Sequence, residues 1–203
     1  MAVYVGIELS RDIRLSAGGV QSPASRSVGG VNLLRHGIQL ALKITAADYI
    51  QVLTPDVDAA LLEICGEFGV REGGVMPWVA GLGEKAAAAK PEDAVVLLRQ
   101  TAPLRDEKPL IEALKLLKKQ RCVVSASKPP AGHSRHKPLP GHTEPDYRVQ
   151  AFEIWRLSEF SKFGFGGVPG DRDKPLFIDW DSFVEIARPE DETRAAKLLA
   201  AIR

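Results

Sequence analysis

A short polar loop containing two arginines follows an apolar run near the middle of the chain. Together with the helix and apolar run that follow, the segment from Val95 to Ser127 predicts strand, loop, helix and strand, the order of one βαβ unit of a parallel sheet. Ligands of such sheets bind at the carboxyl ends of the strands. The sequence therefore predicts a binding site at Arg99, Gln100, Thr101 and Arg105. An arginine there could hold a phosphate through two hydrogen bonds, or simply pair with a nearby acid.

A second polar segment, residues 10–30, is rich in serine, glycine and arginine. A loop of this length in a compact domain usually carries function or is disordered. Gly18 and Gly19 would let backbone amides approach an anion. Three arginines in the same segment could supply positive charge: Arg11, Arg14 and Arg26. The alternative is a solvated surface loop with scattered arginines.

The rest of the first two thirds of the chain alternates apolar runs with helical spacing of apolar residues. Asp56 is suited to cap a helix and Gly69 to end it. This rhythm predicts an α/β fold, with a mixed, mostly parallel sheet and helices on both faces. The predicted strands here are Val3–Leu9 and Tyr49–Leu53, and the predicted helices are Asn32–Ile44, Asp56–Phe68, Trp78–Lys90 and Asp106–Lys119.

The C-terminal third is less regular. Prolines and histidines crowd the stretch from Lys128 to Asp146, and the prolines exclude a central strand. We therefore expect an irregular excursion over about residues 128–150. After it we expect strands at Ala151–Trp155, Phe177–Trp180 and Phe183–Ile186, the last two as a pair, and a terminal helix at Pro189–Ile202.

Composition narrows the class of protein. A chain of 203 residues suits one domain, 1–203. Its 27 basic and 26 acidic residues create no global field for nucleic acid or a membrane, so any phosphate binding must be local. Cys65 and Cys122 lie in apolar runs and are expected to be buried and unpaired. The start of the chain lacks a basic leader, and no apolar run is long enough to span a bilayer, so we expect a soluble, cytoplasmic protein.

The loop from Leu97 to Arg105 resembles the signature loop of the CMP-sugar synthetases, the acylneuraminate (sialic acid) and related cytidylyltransferases, in which two leucines precede Gln-Pro-Thr-Ser-Pro-Leu-Arg. Further segments match that family in the same order along nearly the whole chain: Gly29–Leu34, Thr54–Asp56, Leu61–Val70, Tyr147–Ala151 and Val184–Asp191. The resemblance is to a divergent member. It implies a three-layer, nucleotide-diphospho-sugar transferase-like (Rossmann-like) fold and transfer of CMP from CTP to an acidic sugar for glycan biosynthesis. CTP or another nucleotide, an acidic sugar, Mg²⁺ and a second copy in a homodimer are the implied partners.

The resemblance also implies roles for the nucleotide-binding loops. A glycine-rich loop with one arginine and one lysine neutralises the triphosphate in the family. The corresponding residues here are Gly18, Gly19 and Gln21, without either cation, and Arg14 is the candidate to replace the missing charge in catalysis. In the signature loop Thr101 and Arg105 match the family and are the best candidates for nucleotide contacts, although Arg105 could equally cap the loop onto the helix start at Asp106-Glu107.

Other positions of the family site have changed. Arg99 replaces a glutamine and Ala102 a serine at two positions implied to recognise the nucleotide. Gln150 lies in the match implied to contact the sugar.

The implied metal site keeps one of two acids. The family's Asp-x-Asp becomes Glu185-Ile186-Ala187, which leaves Glu185 as the catalytic carboxylate for Mg²⁺. Asp179 and Asp181 could substitute for the lost acid, or could simply form the wet face of a sheet edge.

His133, His136 and His142 could bind zinc, although Arg135 and Lys137 would repel a cation; alternatively their loop faces the acidic sugar. Three functions stay open at this point. They are catalysis, nucleotide or nucleotide-sugar binding without turnover as a pseudoenzyme or partner subunit, and a glycosyltransferase-like use of the fold.

Overall fold

The computed structural model describes residues 1–9, 22–90, 92–127, 147–163, 175–186 and 189–200. The strands in these ranges are β1 (Val3–Glu8), β2 (Ser27–Val28), β3 (Val31–Asn32), β4 (Ile50–Leu53), β5 (Arg71–Gly73), β6 (Ala94–Arg99), β7 (Cys122–Ser127), β8 (Tyr147–Arg156) and β9 (Leu176–Phe177). The α-helices are α1 (Leu33–Leu42), α2 (Ala59–Phe68), α3 (Val75–Ala86), α4 (Lys108–Leu116), α5 (Leu157–Phe163) and α6 (Pro189–Ala200).

Within the described residues, seven strands form one sheet in the order β5-β4-β1-β6-β8-β7-β9. Neighbouring strands are parallel except where β8 pairs with β6 and β7. The segment predicted as one βαβ unit is therefore correct in its elements and in the parallel direction of β6 and β7. The two strands are not neighbours, because β8 lies between them.

Helices cover both faces of the sheet, which confirms the predicted α/β fold. Alternate residues of β6 point to opposite faces. Val96 and Leu98 pack with α1, α2 and α4, whereas Val95 and Leu97 pack with α3 and α5. The two apolar clusters make three layers, with the sheet in the middle.

Gly6, in the middle of β1, lies beneath the indole of Trp78 on α3. A Cβ at Gly6 would lie 2.6 Å from Cη2 of Trp78 and 2.7 Å from Cδ1 of Leu53. The missing side chain is what allows the indole to rest on the strand. Trp78 in turn meets the ring of Phe160 on α5, with 6.2 Å between ring centroids.

Side-chain caps set the starts of α1 and α2. Asn32 accepts a hydrogen bond from the backbone nitrogen of Arg35 at 2.9 Å, and Asp58 accepts one from that of Leu61 at 2.8 Å. The cap predicted at Asp56 is wrong, because the backbone nitrogen of Asp56 donates to the hydroxyl of Thr54 in a turn that delays the helix. The predicted end at Gly69 is confirmed by its positive φ of 65°.

The C-terminal third differs most from expectation. The strand predicted at Ala151–Trp155 begins earlier, at Tyr147, so part of the expected excursion belongs to the sheet. The predicted pairing of Phe177–Trp180 with Phe183–Ile186 is wrong. Phe177 pairs with β7, and Phe183 bridges to Leu104.

Both cysteines are free and buried, as predicted. Burial, followed by the charge of Glu72, raises the pKa of the Cys65 thiol to about 11. The sequence places Leu110, Ile111, Leu114 and Leu117 on one apolar face of the helix predicted at Asp106–Lys119, but Ile111 is exposed. Among the helices of the described residues, none has the length and apolar character needed to cross a bilayer.

Candidate functional site

The predicted binding loop lies where β1 and β6 end side by side at the carboxyl edge of the sheet. Glu8 and Arg99 are register partners, and Nε of Arg99 lies 3.5 Å from Oε2 of Glu8. Pairing with a nearby acid, one of the two roles left open for Arg99, is thus observed. Both side chains are partly exposed, and such pairs contribute only about 0–1 kcal/mol to stability. Losing this one pair to an anionic ligand would therefore cost little stability.

Gln100 connects this edge of the sheet, through hydrogen bonds, to the residues that directly follow 10–21. Its backbone nitrogen donates to the carbonyl of Glu8 at 3.1 Å, and its side-chain Nε2 donates to the carbonyl of Pro23 at 2.6 Å. Directly before residues 10–21 in the sequence, the backbone nitrogen of Leu9 donates to the carbonyl of Leu53. Both flanks of residues 10–21 therefore lie at the carboxyl edge. This role of Gln100 was not predicted.

Ser22 and Arg26 lie on the second of these flanks. The hydroxyl of Ser22 donates to Asp58, and this bond, ahead of the backbone bond from Leu61, holds the pKa of Asp58 below its ordinary value. Arg26, one of the three arginines considered for phosphate binding, is 5% exposed, and its carbonyl accepts from the backbone nitrogen of Leu33. Burial places Arg26 in the packing of this flank.

The loop of residues 99–105 is held by a segment about eighty positions later in the chain. The backbone nitrogen of Ile186 donates to the carbonyl of Thr101 at 2.7 Å, and that of Arg105 donates to the carbonyl of Ser182 at 2.8 Å. Glu185 directly precedes Ile186 and is half-buried. Thr101, Arg105 and Glu185, three of the predicted site residues, therefore lie in one backbone clasp, which we define as residues 99–105 and 182–186.

The same clasp is supported from α6. The guanidinium of Arg194 donates to the carbonyls of Trp180 and Phe183 and stacks 4.2 Å from the centroid of the Trp180 ring. Burial lowers the pKa of Arg194, while the charges of Asp181 and Asp191 act in the opposite direction. The charge of Asp181, considered as a substitute metal ligand, thus acts on an arginine. Asp179 is exposed.

His36 on α1 holds the loop of residues 99–105 through a hydrogen bond. Its Nε2 lies 2.6 Å from the carbonyl of Leu104, so this nitrogen carries the proton and donates. Burial lowers the pKa of His36 by more than the hydrogen bond to Leu104 raises it. Sequence reasoning missed this residue, although its spacing from Leu33 and Leu40 places it on the apolar side of the predicted helix.

We expect the burial of His36 to make stability depend on pH. In the unfolded chain histidine takes up a proton near pH 6.5, whereas the folded protein keeps His36 neutral to lower pH. Below that pH the unfolded state binds more protons than the folded state. The contribution of His36 to the free energy of unfolding is therefore fully present above about pH 6.5. It decreases as the pH falls, by up to about 1.4 kcal/mol per pH unit.

Urea unfolding of the wild type and of His36→Gln, at neutral and at mildly acidic pH, measures this effect. The wild type should lose more free energy of unfolding on acidification than the variant. Equal losses would contradict it.

The remaining predicted residues are placed as follows. Arg105 is exposed, with Nε 3.8 Å from Asp106, which agrees with the alternative that it ties the loop to the start of α4. Gln150 lies in the first part of β8, beside the end of β6, and its side chain is outside the described residues. Also outside them are Arg11, Arg14, Gly18, Gly19, Gln21 and the three histidines of the 128–146 stretch.

The described residues do not by themselves assemble a complete metal site. No group of three or more histidine, cysteine, aspartate or glutamate side chains comes together among them. Mg²⁺ is often bound by one or two carboxylates together with waters and substrate phosphates. Glu185, half-buried in the clasp, is the carboxylate that would take part in such a site, with the other ligands supplied by water and the nucleotide.

Comparison with known proteins supports the fold. No protein-family model matches the sequence, and no curated protein matches it. Among solved structures, a 4-diphosphocytidyl-2C-methyl-D-erythritol synthase is similar, with a TM-score of 0.64 and 13% identity over 98% of each chain. A CMP:2-keto-3-deoxy-manno-octonic acid synthetase complexed with CTP has a TM-score of 0.62 and 12% identity over 99% of each chain.

A Bacillus anthracis protein described as a glucose-1-phosphate thymidylyltransferase, in complex with a sucrose, has a TM-score of 0.64 and 16% identity, over 100% of this chain and 97% of its own. All three descriptions name nucleotidyltransferases. At these identities the likeness concerns the fold. This chain has the nucleotide-diphospho-sugar transferase fold that these nucleotidyltransferases share.

Proposed function

We propose that the protein is a nucleotidyltransferase of the CMP-sugar synthetase type, which transfers CMP from CTP to an acidic sugar. The observation that carries the proposal is the clasp. It brings Thr101, Arg105 and Glu185 together at the carboxyl edge beside Arg99, next to Gln100, which binds the flank that follows the glycine-containing segment. The fold shared with a synthetase solved with CTP supports the choice of nucleotide.

In this reaction a sugar hydroxyl attacks the α-phosphorus of CTP, and pyrophosphate leaves. The protein must hold the triphosphate and neutralise the charge that develops on it. We assign backbone amides at Gly18, Gly19 and Gln21, with Arg14, to the phosphates. Mg²⁺, when bound, would neutralise phosphate charge.

The clasp, with Asp179 and Gln150 outside it, supplies the remaining contacts in this proposal. Arg99, Thr101 and Arg105 bind the nucleotide, and Glu185, aided by Asp179, holds the metal. Gln150 contacts the sugar. The hydroxyl of Thr101 makes no hydrogen bond to the other described residues, so it is available to a ligand.

A second candidate function is nucleotide or nucleotide-sugar binding without turnover, as a pseudoenzyme or partner subunit. The Glu8–Arg99 ion pair favours it, because the pair satisfies Arg99 within the protein. Asp181, a candidate substitute metal ligand, interacts electrostatically with Arg194, which also favours binding without turnover.

Pyrophosphate release distinguishes the two functions. The full chain with Mg²⁺, each of the four nucleoside triphosphates and a panel of acidic sugars should release pyrophosphate with CTP and at least one sugar. A rise in melting temperature with nucleotide but no turnover across the panel would favour the second function. No release and no thermal shift with any nucleotide would reject both. Light scattering of the same sample tests the homodimer that we propose.

Thr101→Val should weaken nucleotide binding by about ten-fold, since a hydrogen bond to a ligand is worth about 1 kcal/mol or somewhat more. The variant keeps the shape of the side chain and the backbone bond to Ile186. Titration calorimetry with CTP measures the change. Thr193→Val, at an exposed threonine on α6, is the matched control and should bind as the wild type does. Equal affinity in both variants would remove Thr101 from the site.

A further inference from the structure

A groove of about 620 Å³ lies between helix α3 and the strands β1, β4 and β5. Its sheet residues come from the amino ends of these strands, represented by Tyr4, Ile50 and Arg71. The clasp is at the opposite end. Along β1, Tyr4 and Glu8 are four residues apart, which corresponds to about 13 Å of strand. The groove is therefore separate from the candidate nucleotide site.

Small residues leave this space open. On α3, an added Cβ at Gly81 would meet no atom within 4 Å. On β5, a Cβ at Gly73 would lie 2.6 Å from Nε2 of Gln51, so the glycine lets the amide of Gln51 lie along the sheet. Gln51 and Arg71 are register partners on neighbouring strands, and both line the groove.

Aromatic side chains form part of the walls. The rings of Tyr4 and Tyr49 meet edge to face, with centroids 5.3 Å apart and planes at 74°. Trp78 is buried and braced against Gly6, so its indole is a fixed surface. Burial, then the charges of Tyr49 and Asp93, raises the pKa of Tyr4, so its hydroxyl stays protonated and can donate a hydrogen bond.

The groove also carries an excess of positive charge. Arg71 and Lys85 line it, against one acid, Asp48. In the described part of the chain neither cation forms an ion pair. A guanidinium binds carboxylate or phosphate through two parallel hydrogen bonds. The volume lies within the range of small-molecule pockets and far exceeds the needs of a bare ion.

From this combination of flat aromatic walls and unpaired cations we infer that the groove is a second binding site, for a small molecule that joins a planar ring to a carboxylate or phosphate. The ring packs against Tyr49 and Trp78. The anion binds Arg71, with Lys85 adding charge. The inference does not depend on the proposed transfer reaction, because it uses none of the residues of the clasp.

Titration calorimetry of the full chain with indole-3-carboxylate tests the inference. We expect it to bind about ten-fold or more tightly than indole, which lacks the charge, or acetate, which lacks the ring. Arg71→Met should weaken binding by about ten-fold or more, because a hydrogen-bonded charge pair is lost.

Gly81→Leu places a side chain in the open space of the groove and should abolish binding. Gly83→Leu is the matched control. It lies on the same helix, also with no atom within 4 Å of an added Cβ, but does not line the groove, so it should bind normally. No binding of indole-3-carboxylate at millimolar concentration, or equal binding by the wild type, Arg71→Met and Gly81→Leu, would overturn the inference.

Discussion

Replacing Glu185 by glutamine is expected to reduce pyrophosphate release by about 100-fold or more, the scale seen when one charge-stabilising group is removed from an active site. Glutamine keeps the size of the side chain and leaves the backbone bond between Ile186 and Thr101 in place. The change removes the negatively charged carboxylate to which we assign the binding of Mg²⁺. The turnover rate at saturating CTP and acidic sugar is the measurement, and raising the Mg²⁺ concentration should recover part of the loss.

Glu84→Gln is the matched control for this prediction. Glu84 is exposed on α3, away from the clasp, and its replacement should leave the rate unchanged. A Glu185→Gln enzyme with the rate and the Mg²⁺ dependence of the wild type would show that this carboxylate does not hold the metal.

Gly6→Ala is expected to lower the free energy of unfolding by about 3 kcal/mol, at the upper end of the usual range for overpacked cores. The new methyl group would lie 2.6 Å from Cη2 of Trp78 and 2.7 Å from Cδ1 of Leu53, and both side chains are buried. Phe160 packs against the indole, with ring centroids 6.2 Å apart, which restricts its movement. For a chain of this length the melting temperature should fall by roughly 6–12 °C.

Two further variants separate the clash from the general effect of replacing glycine. Gly66→Ala, on α2 in open space, should be neutral or stabilising by up to about 1 kcal/mol, since alanine favours the helix. Adding Trp78→Leu to Gly6→Ala should restore part of the lost stability relative to the sum of the single changes. If Gly6→Ala melts at the temperature of the wild type, the packing of Trp78 on β1 is not as described.

Elements with a strong local pattern were predictable from the sequence. The apolar run at β6, the helical spacing of α1 and the glycine that ends α2 depend on neighbours only a few residues away. The choice of neighbour for each strand in the sheet, by contrast, depends on residues far away in the sequence. β8 enters between β6 and β7 after a proline-rich stretch, and no local pattern reports that insertion. Phe183 likewise pairs with Leu104, which is far away in sequence.

The site shows the same division. The position of Thr101 and Arg105 at the end of a strand followed from the alternation of elements. The hydrogen bonds that hold the loop could not be predicted in this way, because they join residues far apart in the sequence. The side chain of Gln100 reaches Pro23 across 77 positions, and that of His36 reaches Leu104 across 68. Such contacts depend on tertiary packing, which propensity and periodicity do not encode.

The insertion of β8 has a consequence for synthesis on the ribosome. Strands β5, β4, β1 and β6 all come from the first hundred residues and can assemble as soon as these have emerged. Until Tyr147–Arg156 follows, the outer side of β6 has no partner, and its apolar sequence can recruit strands from other nascent chains. Chaperone protection should therefore matter most while the 47 residues between β6 and β8 are being translated.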